Sequence, residues 1–268
     1  MLLAHTEPMF SMKIHDIKPA PPLQPFISGY KIIETNAERI NRILPTTSLA
    51  MAFRLRGQNT LLSNGHSRVL PESIVSGLQK SPRHIGYGEN TATLIVQFTP
   101  TGASAFFKQP LHELFAESVS LDDLVNPSLV RTINDRVWSA PRNEEKVSII
   151  EEFLLGMLDK YETDRLVSTA IQQINQSNGF IRIRDLRDRL YISKDAFEKR
   201  FRKVVGASPK QYASLVRMSS IVSRSRDRDK LLDAAFEAGF FDESHFIKAF
   251  KQFTGQTPTD FIRSGPVW

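Results

Sequence analysis

The pattern of apolar and polar positions changes character partway along the chain. Up to about residue 100 the apolar residues come in short runs, at residues 26–33, 47–55 and 91–99. Turn-forming stretches separate or precede these runs: a proline-dense segment from Pro19 to Pro25, then Arg56-Gly57-Gln58-Asn59 and Ser63-Asn64-Gly65-His66. Short β-prone runs bounded by turn residues predict an antiparallel barrel or sandwich. From about residue 110 the spacing turns helical. Leu111, Leu114 and Phe115 fall on one face, and residues 143–160 make a stronger case. There Val147, Ile150, Phe153, Leu154 and Met157 form an apolar stripe opposite Glu144, Glu145, Glu151 and Glu152. The stripe is expected to pack on the barrel; the alternative is that this helix forms a subunit interface. The fold class is therefore α+β, with a β-rich domain over residues 1–160 and an all-α domain over 161–268.

From residue 163 onward the pattern is helical throughout, and the chain repeats itself. Ser193, Phe197, Phe201, Gly206, Ser208-Pro209 and Tyr212 recur as Asp242, Phe246, Phe250, Gly255, Thr257-Pro258 and Phe261, every pair offset by 49. Each position has a physical task. Ser193 and Asp242 are N-caps, whose side chains accept from the free amides of a first turn. The phenylalanine pairs sit four apart, so they bury together. Gly206 and Gly255 suit the left-handed residue that stops a helix, and Ser208-Pro209 and Thr257-Pro258 start the next one. Upstream, Ile183, Leu186 and Leu190 match Leu232, Ala235 and Gly239 at the same offset. Each copy reads as short helix, tight turn, second helix, stop, third helix, which contains a helix-turn-helix unit. A helix from residue 209 to about 226 joins the copies and spans roughly 27 Å at about 1.5 Å per residue. That length suits two reading helices about one duplex turn apart.

Charge is added to this picture unevenly. The net charge is +6, yet residues 163–268 alone hold 19 Lys+Arg against 12 Asp+Glu. A cationic surface confined to the helical domain suits an anionic partner, nucleic acid above all. With the phenylalanines buried, Asp195, Glu198 and Lys199 face outward in the first unit. Glu243, Ser244, His245, Ile247 and Lys248 do so in the second. These are the candidate base-reading residues: Lys donates to guanine, Glu accepts from cytosine, and Ile contacts a thymine methyl. Arg184, Arg202, Lys203 and Lys251 are the candidate phosphate contacts, which position without reading sequence.

Residues 163–268 resemble the DNA-binding domain of the AraC/XylS family of transcription regulators. The resemblance rests on Asp233-Ala234-Ala235, Gly239-Phe240, Asp242, Phe246, Phe250-Lys251, Gly255 and Thr257-Pro258. It implies seven helices with two helix-turn-helix units, and control of transcription on double-stranded DNA. The first unit departs from the family pattern. Arg187 stands where a small residue usually follows the leucine of the bracing helix, and Tyr191 stands at a turn position that is commonly glycine. Asp195 and Glu198 also place negative charge on its reading face, so the second unit is expected to supply most base recognition. The first half more loosely resembles the cupin-like domains that precede such DNA-binding domains. The likeness lies in Phe98-Thr99-Pro100-Thr101-Gly102-Ala103 and the later Leu121-Asp122-Asp123-Leu124.

Other chemistries fit less well. There is no cysteine, which excludes disulfides and thiol nucleophiles. The six histidines, His5, His15, His66, His84, His112 and His245, form no metal-ligand spacing; only His66 and His84 are candidates to converge across a barrel. The rival to a regulator is a metal-dependent cupin-type enzyme with a DNA-binding tail, and the expectation is a non-enzyme with no cofactor and no catalytic or metal residues. Phe53, Phe98, Phe106 and Phe107 either fill a core or line a cavity for a small-molecule effector, the former being preferred. RNA polymerase and a second copy of the chain are further partners that a regulator admits. No run of eighteen apolar residues occurs, and residues 1–8 lack the basic and apolar segments of a signal peptide, so a cytoplasmic location is expected.

Overall fold

The computed structural model describes residues 12–63, 65–158, 163–224 and 228–264. Two antiparallel sheets build the amino-terminal part. The larger contains β1 (Met12–Ile17), β2 (Ile27–Thr35), β4 (Ala50–Arg56), β7 (Ser73–Ser76), β9 (Thr91–Phe98) and β10 (Ser118–Ser120). The smaller contains β3 (Arg39–Ile43), β5 (Asn59–Ser63), β6 (His66–Val69) and β8 (Arg83–Tyr87). The strand orders are β1-β2-β9-β4-β7-β10 and β3-β8-β5-β6. All three β-prone runs of the sequence became strands of the larger sheet, shifted by up to three residues.

Alternation along β4 shows how this sheet serves two layers. Met51, Phe53 and Leu55 are buried on one face, while Ala52 turns to the opposite one. Between the sheets lies a small core of Ile33, Leu70, Ile74, Ile85 and Tyr87. The other face is covered by α1 (Pro127–Ser139) and α2 (Asn143–Met157), through Val130, Ile133 and Val137 and through Val147, Ile150, Phe153 and Leu154. The stripe of α2 is thus spent inside the molecule; residues 159–160 of the anticipated helix lie outside the described residues. Glu151 on α2 also accepts the backbone N–H of Ala20 at 2.7 Å, tying down the proline-dense segment. Leu111–Leu114 is a single 3-10 turn rather than an α-helix, because Pro110 starts it and Phe115 is already extended.

Seven helices follow among the described residues: α3 (Arg165–Gln176), α4 (Ile183–Arg189), α5 (Lys194–Val205), α6 (Pro209–Arg224), α7 (Arg228–Glu237), α8 (Glu243–Thr254) and α9 (Pro258–Arg263). One apolar core runs continuously from the larger sheet into this bundle. The two parts meet at the turns that end α5 and α8. A Cβ on Gly206 would lie 3.1 Å from the Leu111 carbonyl and 3.4 Å from Leu49. One on Gly255 would lie 3.0 Å from Pro82, and Arg42 on β3 stacks over Phe261 of α9 at 5.9 Å. No helix among the described residues is long and apolar enough to cross a membrane.

Candidate nucleic-acid interface

The repeat in the sequence is a repeat in space. In the first unit α4 braces and α5 follows; in the second α7 and α8 take these places. Ser193 Oγ accepts from the N–H of Ala196 at 3.4 Å, and Asp242 Oδ1 from that of His245 at 2.7 Å. Phe197 and Phe201 meet edge-on at 5.7 Å, and Phe201 meets Tyr212 at the same distance. Phe246 and Phe250 meet at 5.4 Å, as do Phe250 and Phe261. All six rings are buried. The second helix of each unit is therefore fastened to the helix that follows it by the same triad of rings. Gly206 and Gly255 stop α5 and α8 at φ 85° and 78°, left-handed values that glycine adopts without strain.

The helices after these stops begin as expected. Ser208 and Gln211 exchange reciprocal bonds of 3.2 and 2.8 Å, a capping box, and Thr257 caps α9 through the N–H of Asp260 at 3.3 Å. α6 links the units over the sixteen residues Pro209–Arg224, about 24 Å at 1.5 Å per residue. The anticipated positions 225 and 226 lie outside the described residues.

The turn inside each unit departs from the constant offset. Tyr191 carries φ 51° and Gly239 carries φ 78°, so the two left-handed residues are 48 apart. The bond from Ile192 N–H to the Arg187 carbonyl (3.4 Å) corresponds to that from Phe240 N–H to the Ala235 carbonyl (3.0 Å). The second turn contains one more residue before its cap, and Phe241 there is 95% exposed. In place, then, Arg187 is the counterpart of Ala235 and Tyr191 of Gly239. Arg187 leaves the packing intact by folding its guanidinium onto Asp188 at 2.8 Å.

Of the candidate base-reading residues, Asp195 and Lys199 on α5 and Glu243, Ser244, His245 and Lys248 on α8 are exposed. Two are less exposed than the rest. Glu198 is half-buried and pairs with Arg202 at 3.2 Å, one helical turn away. Ile247 is half-buried and packs against the core, which corrects the expectation that it faces outward. His245 lies against the Phe240 ring at 5.2 Å, which fixes where its imidazole sits.

The four candidate phosphate residues are dispersed. Arg184 stands 3.9 Å from Asp188, Arg202 is engaged by Glu198, and Lys251 is exposed on α8. Lys203 borders a cleft against the amino-terminal part. Lys194, Lys199, Lys248 and Lys251 make no ion pair among the described residues. Lys194, which burial of Phe197 and Phe201 turns outward, opens α5 and is exposed as well.

Behind the units, Arg217 of α6 donates to the Gly179 carbonyl at 2.9 and 3.2 Å and stacks on Phe180 at 5.7 Å. Its burial lowers the guanidinium pKa. The Phe180 ring in turn fills the space beside Gly239, where an added Cβ would come within 2.1 Å of it. Burial pushes the Tyr212 phenol up to about 12, while its bond to Asn175 at 3.3 Å pulls the other way.

The residues weighed for other chemistry do not gather. Phe53, Phe98, Phe106 and Phe107 are buried in the core facing the helices, with Phe98 5.7 Å from Phe106 and 6.1 Å from Phe107. They fill it rather than line a barrel cavity. His66 and His84 are both exposed, on β6 and β8, and do not converge inside the barrel.

This geometry defines a double helix-turn-helix domain. Residues 186–264 match the family described as Helix-turn-helix domain, and residues 15–120 match Domain of unknown function (DUF6597). The two units that the resemblance to the AraC/XylS type implies are thus present in the carboxy-terminal part, behind a β-rich amino-terminal part. Among curated relatives, the Msm operon regulatory protein of Streptococcus mutans is 26% identical over 155 residues, covering 56% of this chain and 55% of that protein. An uncharacterized HTH-type transcriptional regulator of Haemophilus influenzae is 26% identical over 157 residues, covering 58% and 52%. The chain spans about half the length of these relatives. Among solved structures, ToxT from Vibrio cholerae aligns over 95% of this chain and 98% of that one, with 12% identity and a TM-score of 0.46.

Proposed function

We propose that the chain is a sequence-specific, DNA-binding transcription regulator without enzymatic activity, in which α5 and α8 enter successive major grooves of one duplex. The observation that carries this reading is the duplicated ring triad. It holds two N-capped helices with exposed cationic residues, Lys199 and Lys248, at matching positions. Phosphate contacts from Arg184, Lys203 and Lys251 position the protein, while Lys199, Lys248, Ser244 and Glu243 read base edges. The second unit reads more of the sequence, since Glu198 and Arg202 neutralise each other in the first. Residues 1–160 modulate binding through the contacts at Gly206 and Gly255, and the protein works in the cytoplasm.

Selection of preferred duplexes from a random pool by the full chain tests this. Two conserved half-sites about 10–10.5 base pairs apart are expected. A pool that returns without enrichment refutes sequence-specific binding.

A further inference from the structure

The first reading helix does not stand alone at its carboxy-terminal end. A cleft of about 470 Å³ lies between α5 and the turn before Pro110, lined by Lys108 and Gln109 on one side and by Asp164, Arg200 and Lys203 on the other. Its charge is one-sided. The single carboxylate is already committed: Asp164 caps α3 by accepting from the Val167 N–H at 3.0 Å, and it pairs with the Arg200 guanidinium. Lys108 and Lys203 are both exposed and make no ion pair among the described residues. Two uncompensated ammonium groups therefore face each other's surroundings across one opening, beside a third cation.

The position of this opening relative to the reading face narrows its partner. Lys199 and Lys203 are four residues apart and share one side of α5, so Lys203 stands one turn beyond a base-reading residue. A major groove is about 12 Å wide and a helix with its side chains about 10–12 Å across, so phosphates line both flanks of an inserted helix. The flank of α5 bearing Lys203 meets one such wall, and the next structure along that flank is the turn carrying Lys108.

We infer that Lys108 of the amino-terminal domain is a phosphate contact, extending the DNA-binding surface of the first unit across the interdomain cleft onto the β domain. The inference rests on the proposed reading of α5 as groove-entering. It gives the amino-terminal domain a direct share in affinity: any change that opens the cleft removes a phosphate contact without touching the reading residues.

The test is a salt titration of full-length protein on its selected duplex and on a scrambled one, for the parent, Lys108→Ala and Lys108→Arg. Each phosphate contact contributes about 0.9 to the slope of log affinity against log salt. Lys108→Ala is expected to weaken binding to both duplexes alike and to shorten the slope by about 0.9. The gap between parent and variant then shrinks about 3.5-fold from 50 to 200 mM salt. Lys108→Arg is expected to keep the parent slope. An unchanged slope and affinity in Lys108→Ala overturns the assignment, as does a loss confined to the selected duplex. A loss of affinity at constant slope overturns it too, pointing to a small anion in the cleft. A parent protein whose binding is flat in salt refutes groove entry itself, a different failure.

Discussion

Tyr191 offers a sharp test of how the first unit is built. Its backbone sits at φ 51°, in the left-handed region, and its ring is 97% exposed. A non-glycine residue pays roughly 1–2 kcal/mol for that conformation, and nothing in the packing of the ring offsets it. Glycine would remove the strain but bring about 0.5–1 kcal/mol of extra chain entropy to lose on folding. Tyr191→Gly is therefore expected to stabilise the protein by about 0.5–1 kcal/mol, keeping the turn bond from Ile192 to Arg187. Urea unfolding reads this as a midpoint a few tenths of a molar higher at constant slope, given about 1–3 kcal/mol per molar. The reciprocal change, Gly239→Ala, meets both a left-handed φ of 78° and the Phe180 ring, so it must lose stability. A midpoint for Tyr191→Gly equal to or below the parent's would refute the strain argument.

Other consequences follow from the same geometry. Asp242→Ala removes a 2.7 Å cap and should cost about 1 kcal/mol, most of it restored by Asp242→Asn, in thermal or urea melts. Phe250 is fully buried between Phe246 and Phe261, so Phe250→Ala should cost about 3–5 kcal/mol and abolish duplex binding together with folding. The Tyr212 phenol has its pKa raised from 10.0 to about 12 in the folded state. Its protonated form is thus favoured by folding: the contribution is complete below pH 10 and is lost as pH rises toward 12. Tyr212→Phe should flatten that alkaline decline in stability; an unchanged pH profile would remove Tyr212 as its cause.

How much of this was legible in the sequence follows the range of each interaction. Caps, stops and ring pairs lie within a few residues of one another, so Ser193, Phe197, Phe201 and Gly206 announce α5 without knowledge of the rest. The extra residue in the second turn escaped because apolar residues upstream also match at 49, Leu186 with Ala235 for one, although the turn bonds set the offset there at 48. Strands β3, β5, β6 and β8 were not legible: β6 is exposed along its whole length, and such strands are fixed by their partners' register rather than by their own alternation. Ile247 looked free because helical geometry gives direction but not what lies in that direction. Lys108 carries no local signal at all, since only the docking of α5 on the turns around Leu111 brings it beside Lys203. The cation of Arg202 was visible, but its pairing with Glu198 depends on rotamers that spacing only permits.

The claim that α5 and α8 both enter major grooves is tested most directly by guanine N7 protection from methylation on the selected duplex. Two protected clusters on one face, about 10–10.5 base pairs apart, are predicted, with one lost in Lys199→Ala and the other in Lys248→Ala. Protection at a single cluster that only one of these substitutions removes would contradict it.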